Sequence, residues 1–340
     1  MPLSTGCHRR PEAEQTNLAV AEPPRERRGT RQLRWLVLGV VALTPAGSGA
    51  AAAQTAPVEA TSLLGKPLHR PPMSAAAAAT AERNLAAAKR ALDHTPENAD
   101  SLIWYGRRLG YLGRYGDAIA VYTRAIGLHP ADARLYRHRG HRYLTTRRLD
   151  LAIADFDKAY DLTRNRPDEI EPDGQPNARG IPTSTLKSNI RYHLGLAWYL
   201  KGEFARALPY YQEDVAAAVN PDMTVASSHW LYMTLRRLGR DADARRVIEP
   251  IRADLEIIEN QSYHRLLLMY RGDLPADSIL GPAERGDAIQ DATVAYGVGN
   301  WHRYNGRPAE ARRLFERILA GPQWGAFGYL AAEAELARER

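Results

Sequence analysis

The sequence predicts an all-α protein: a solenoid of about six helical hairpins, the later ones degenerate, with one long insertion between the second and third. Three observations predict it. Gly106, Ala118, Tyr122 and Ala125 recur as Gly140, Ala152, Phe156 and Ala159, each 34 residues on, and Leu109 maps onto Tyr143 at the same step. Gly195, Ala207 and Tyr211 then follow the second copy at 55 residues, which is one period plus 21. Gly113, Gly202, Gly239, Gly272 and Gly306 mark one place in their units, the turn between two helices, where the second copy has Arg147. Ala118, Ala207, Ala244 and Ala311 each stand five residues beyond their glycine. Self-similarity at a fixed period of this length signals stacked two-helix units. No such unit can bury its apolar face alone, so stability comes through neighbours.

Each element follows in order. Arg25, Arg27, Arg28, Arg31 and Arg34 precede an apolar run, Trp35 to Leu43, and then Ala50 to Ala53. A basic stretch, a short apolar core and a small-residue exit read as a signal peptide over 1–53, cleaved near Ala53–Gln54. The run is far below the ~20 residues a membrane span needs. The expectation is export to a periplasmic or secreted location; a retained N-terminal anchor is the alternative, and Arg27–Arg28 allows a twin-arginine route. Nothing later in the chain is long and apolar enough to span a bilayer. Residues 54–80, rich in Ala and Pro, read as a flexible linker. Residues 81–340 form the solenoid: a half-repeat helix at 81–95, repeats near 99–132, 133–166, 188–221, 225–257, 258–291 and 292–323, and a closing helix at about 324–339. Irregular packing is expected over 253–291, where Tyr263 to Tyr270 either caps the array or makes a dimer contact.

Composition narrows the chemistry. The 340 residues are 44% hydrophobic, 25% charged and 8% aromatic, a globular balance. The net charge of +7 is mild and dispersed, and no nucleic-acid module is visible, so no nucleic acid is expected. The one cysteine, Cys7, precedes the apolar run, which excludes a disulfide framework, a cysteine metal site and a thiol nucleophile in a processed chain.

Gly106, Ala118, Tyr122, Ala125 and Pro130 in the first copy, and Tyr136, Gly140, Tyr143, Ala152, Phe156 and Ala159 in the second, carry a resemblance to the tetratricopeptide repeat family. It covers about 240 residues. Small residues let paired helices approach, and the aromatic fills the gap to the next unit. The resemblance implies that the first helix of each unit lines a concave surface. Carried over, this places Arg107, Tyr111, Arg137, His141, Tyr192, Tyr199, His229, Arg236, Tyr296, Asn300 and Arg303 in a basic, Tyr- and His-rich groove without acids. Guanidinium forks suit carboxylates, and aromatic faces offer contact area at small entropic cost. The carboxylate clamp of some family members is not matched: Ile103, Arg107, His138, Asn189 and His193 hold one Asn and no Lys.

The insertion, 167–187, holds four prolines and two glycines, which preclude a regular helix. Its first half carries Asp168, Glu169, Glu171 and Asp173, and its end, Pro182 to Thr185, suits a helix cap. An acidic loop beside a basic groove suggests a lid or built-in competitor.

The leading expectation is therefore an exported, non-catalytic scaffold that binds a protein or peptide, with anionic segments among the candidates, and needs no cofactor or metal. A second reading is a metal-dependent enzyme built from the histidines on the first helices, His138, His141, His193, His229, His264 and His302, with the acidic loop. No HExxH, G-x-S-x-G or P-loop supports a catalytic site. A third is an envelope adaptor that recruits hydrolases or proteases through its convex face.

Overall fold

The computed structural model describes residues 56–280 and 288–340, with residues 288–290 described by their backbone only. The expected signal peptide lies outside these residues. All of them belong to one compact unit.

The segment expected to be a linker is folded. Strand β1 (Val58–Thr61) pairs antiparallel with β2 (Pro67–His69), and helix α1 (Ala75–His94) begins at its cap Ser74, earlier than the predicted 81. The Glu59 carboxylate explains why: it accepts the backbone N–H of Tyr115 at 3.0 Å, at the start of a later helix, and pairs with Arg70 at 2.6 Å. A carboxylate at a helix N-terminus satisfies a donor that has no intrahelical partner. Composition predicted a tether because it does not register such long-range capping.

Hairpins follow: α2 (Ala99–Tyr111) with α3 (Tyr115–Leu128), α4 (Ala133–Thr145) with α5 (Leu149–Thr163), α6 (Leu186–Leu200) with α7 (Phe204–Ala216), and α8 (Pro221–Arg237) with α9 (Asp241–Ile248). The fifth unit keeps α10 (Gln261–Arg271), but its second helix is a single turn, α11 (Ala276–Ile279). The sixth pairs α12 (Ala288–Tyr304) with α13 (Pro308–Leu319), and α14 (Phe327–Arg338) closes the chain. Residues 251–260, which overlap the start of the stretch expected to be irregular, form no helix; buried Asp222 holds them by accepting the N–H groups of Ile258, Glu259 and Asn260 at 2.8–2.9 Å. The Tyr263–Tyr270 stretch is α10's own packing face, with Leu266 to Tyr270 buried.

The repeat marks do the work their spacing implied. A Cβ on Gly106 would lie 2.6 Å from the Tyr122 ring; one on Gly140 would lie 3.0 Å from Phe156, and one on Gly195 2.9 Å from Tyr211. The glycine lets the aromatic of the second helix lie on the first, and Tyr122, Phe156 and Tyr211 are all buried. The five turn glycines have φ from +70° to +93°, the left-handed region open to glycine. Arg147 adopts φ +66° at the same place, the one non-glycine with positive φ among the described residues.

Helix α14 differs from the rest. Gly328 through Leu336 are all buried, so it is enclosed on every side. It packs on α12 and α13 and also reaches α6. Gly328 is obligatory, because a Cβ there would sit 2.3 Å from the Ala292 carbonyl oxygen. Just before α14, Trp324 donates to the His69 carbonyl at 2.7 Å and meets the Tyr115 ring edge-on at 5.3 Å. The end of the array thus returns to its beginning.

Candidate binding groove

The concave face has two halves. Along the later units it is filled by α14. Tyr199, His229, Tyr296 and Asn300, expected on an open groove, are buried there, at most 1% exposed. Asn300 donates to the Tyr199 hydroxyl at 2.7 Å, as does Tyr296 at 2.9 Å, and His229 stacks on Tyr263 at 4.7 Å. Arg303 pairs with Glu335 at 3.2 Å and Glu339 at 2.7 Å. Arg236 pairs with Asp241 at 2.8 Å and lies over the Tyr304 ring at 4.4 Å. The expectation that these six residues meet a partner is corrected. They are committed to the chain itself: Tyr296 and Arg303 meet Glu335 of α14, while Tyr199, Asn300, His229 and Arg236 pack on or bond neighbouring repeat helices.

Two carboxylates anchor that helix. Glu335, fully buried, meets Arg237 at 2.6 Å, Arg338 at 2.6 Å and Arg303. Glu333, also fully buried, accepts Arg147 at 2.7 Å, and the Arg147 guanidinium lies 5.2 Å over Trp324. This accounts for an arginine in a glycine's conformation. Its side chain neutralises a buried charge on α14, which outweighs about 1–2 kcal/mol of left-handed strain.

Between the second to fifth units a cavity of ≈ 320 Å³ remains, lined by Arg137, His141, Asn189, Tyr192, His193, Asp222, Glu259 and Tyr263 among others, with Phe327 of α14 at its edge. The Tyr192 hydroxyl shares a hydrogen bond with Tyr263 at 2.8 Å and accepts Trp230 Nε1 at 2.6 Å, so its ring is locked in place. His141 and His193 lie 4.6 Å apart, and both face Phe327. Burial, helped by Arg137, pushes His193 down to about 3. Burial and the arginines hold His138 and His141 well below the usual imidazole range. These rings are neutral near pH 7, so the cavity's positive charge is carried by arginine.

A smaller cavity of ≈ 110 Å³ adjoins it through Arg137 and His141; Arg107, Tyr111 and Arg142 also line it. The insertion covers this part. Glu171 pairs with Arg137 Nε at 2.9 Å, each side chain 9% exposed, and accepts Asn189 Nδ2 at 3.1 Å. Arg107 donates to the Pro172 carbonyl at 2.7 Å, and Arg108 to that of Gly174 at 2.8 Å. Gly174 is pressed so closely on Tyr111 that a Cβ would lie 1.9 Å from the hydroxyl.

The other loop acids do not reach the groove. Asp168 accepts the Thr185 hydroxyl at 2.7 Å and the Lys187 N–H at 3.0 Å, at the start of α6. Asp173 accepts the N–H of Gln175 at 2.9 Å, and Glu169 is exposed. As groove-facing lid residues, Asp168, Glu169 and Asp173 are corrected: the short side chains of Asp168 and Asp173 cap nearby N–H groups instead, and Glu169 points to solvent. No three His, Cys, Asp or Glu among the described residues are placed to hold a metal ion.

The tetratricopeptide repeat family matches residues 106–169, the first two hairpins around Arg107 and Arg137. Over those residues the chain carries tetratricopeptide repeats. It is 42% identical over 59 residues to human tetratricopeptide repeat protein 13, which is 17% of this chain; it spans 7% of the length of that relative. Among solved structures it is similar to YrrB, described as a TPR protein with an unusual peptide-binding site, at 17% identity and a TM-score of 0.40, covering 75% of this chain and 98% of YrrB. It is also similar to a tetratricopeptide repeat protein of Parabacteroides merdae, at 14% identity and a TM-score of 0.44, covering 76% and 92%.

The repeat pattern of this tetratricopeptide repeat chain left α14's role unread. Its sequence did hold a signal: Phe327 to Arg338 has small or apolar residues all round and carries Glu333 and Glu335 two apart, on different faces. A helix without a polar face is an enclosed one, and its acids then require partners.

Proposed function

We propose that this tetratricopeptide repeat scaffold binds a protein or peptide segment at the cavity lined by its second to fifth units, without catalysis. The observation that carries the reading is the ≈ 320 Å³ cavity with rigid aromatic walls and Arg137 as its cation; of its two acids, Asp222 is taken up by backbone N–H groups and Glu259 by the insertion. Tyr192, Tyr263, His193 and Phe327 offer contact area at fixed rotamers; Arg137 and Asn189 offer polar anchors. Aromatic and arginine anchors in a pocket are the usual carriers of binding energy. Panning a random peptide library on the purified protein tests this. Enriched peptides should lose at least tenfold in affinity against His141→Ala/Asn189→Ala, at unchanged thermal midpoint. Peptides that bind both proteins equally would place the site elsewhere.

We also propose, from the sequence alone, that the protein is exported to a periplasmic or secreted location by a leader cleaved near Ala53–Gln54. Fractionation with N-terminal sequencing checks it: a chain starting near Gln54 outside the cytoplasm is expected, and an uncleaved cytoplasmic chain would refute it. No described helix is long and apolar enough to cross a membrane.

A further inference from the structure

The loop residues Glu171 to Gly174 lie on the early units as a bound peptide would. One carboxylate is taken by Arg137 and Asn189, and backbone carbonyls one and three residues later are taken by Arg107 and Arg108. At the third residue the floor excludes any side chain, through Tyr111. Charge favours the same reading. Arg107, Arg137 and Arg142 line one small cavity, yet Glu171 is the only carboxylate paired with any of them among the described residues.

Resting on the binding reading above, we propose that the ligand is an acidic peptide segment. It places a Glu or Asp carboxylate on Arg137 and Asn189, and its carbonyls on Arg107 and Arg108, in place of Glu171 to Gly174. The segment Glu171-Pro172-Asp173-Gly174 is a tethered copy of that ligand. The pattern required is an acidic residue with glycine three positions on.

The attachment suits exchange. The rest of the loop is tied at other points: Asn177 and Thr183 bond Glu259 at the rim of the larger cavity, and Arg179 pairs with Glu256, an exposed contact. The tip can therefore leave while the loop's shoulders stay. Tethering raises the effective concentration of the built-in segment to roughly the millimolar range. A free tetrapeptide competes poorly with that. A partner that also fills the adjoining cavity beside Tyr192, Tyr263 and Phe327 gains contacts that the loop does not make. The loop then sets a threshold that only longer, two-part ligands cross.

The probe is a fluorescein-labelled synthetic peptide, Ile-Glu-Pro-Asp-Gly-Gln. It is titrated by anisotropy into the full-length protein carrying Glu171→Gly, Pro172→Ser and Asp173→Gly. Saturable binding is expected, at least tenfold tighter than to the parent protein. Adding Arg137→Gln should abolish it, as should Gln for Glu in the probe. Affinity should fall as salt is raised. Absence of saturable binding to the triple variant at an unchanged thermal midpoint overturns the proposal, as does equal binding to the Arg137→Gln form. Should the triple variant not fold, the single Glu171→Gln protein serves; it must bind the probe more tightly than the parent, and equal binding overturns the proposal. Library peptides that depend on His141 and Asn189 but lack an acidic residue would sink this inference and leave the broader binding reading standing.

Discussion

Glu335 and Glu171 are both carboxylates set among arginines on the concave face, and they are held in opposite ways. Glu335 is fully buried on a helix and touches three guanidiniums, Arg237, Arg303 and Arg338. Glu171 sits on a loop, retains some exposure and pairs with one, Arg137. The first half of that comparison is architecture: α14 is walled in on every side, and removing it would uncover the faces of α6, α12 and α13. The second half is an occupancy: a few loop residues rest on a basic floor through one carboxylate and two carbonyls. A groove filled by a helix has become core, whereas one filled by a loop tip still has the chemistry of a binding site.

The comparison breaks most readily at Glu335. Glu335→Ala strips Arg237 and Arg338 of their carboxylate and leaves Arg303 with Glu339 alone, an expected loss of about 3–5 kcal/mol. Urea unfolding measures it, and a loss below about 1 kcal/mol would mean that α14 is not held by this charge. The next largest effect is pH. His193 and His229 are pushed down to about 3 by burial, so the unfolded chain takes up two protons below about pH 6.5 that the folded chain refuses. That stability is whole above pH 6.5 and drains away as pH falls toward 3. Burial raises Asp214 to about 6, so between about pH 6 and 4 the folded chain holds one proton that the unfolded chain lacks. The net uptake of one proton on unfolding removes about 1.4 kcal/mol per pH unit in that window. His138 and His141, shifted in the same direction, steepen it. A flat denaturation profile from pH 6 to 4 would contradict this account.

Arg147→Gly sharpens the contrast further. Glycine relieves about 1–2 kcal/mol of left-handed strain but strands Glu333, which costs about 3–5 kcal/mol. A net loss of about 2–3 kcal/mol is expected, and a gain in stability would show that the turn, not the ion pair, governs this position. The smallest effect belongs to Glu171→Gln: within about 1 kcal/mol in stability, with faster proteolysis inside 171–180. Equal losses for Glu171→Gln and Glu335→Ala would erase the distinction between the two halves.

Much of this was legible in the sequence. The spacing of Gly106, Tyr122 and their successors places small residues against aromatics within one hairpin, a local relation that periodicity records directly. The hairpins through 248 and the last pair follow it closely, and the insertion lies where the extra 21 residues put it. Of the expected groove, Arg107, Tyr111, Arg137, His141 and Tyr192 come together around the two cavities. The six later residues do not: Tyr296 and Arg303 are taken by a helix far along the chain, and the other four by neighbouring units. Arg147 and Glu333 are 186 residues apart, and no repeat pattern reports such a pairing. The hairpin at 58–69 was missed for the same reason: Glu59 finds its partner 56 residues away.

The sequence by itself determined the unit, its period and its turn, since these rest on contacts between residues a few turns apart. It also flagged Arg147 as the departure from glycine. Only the tertiary structure decided which part of the concave face is core and which is still a site. Burial is a property of what arrives from elsewhere in the chain, and here a helix arrived on one half and a loop on the other.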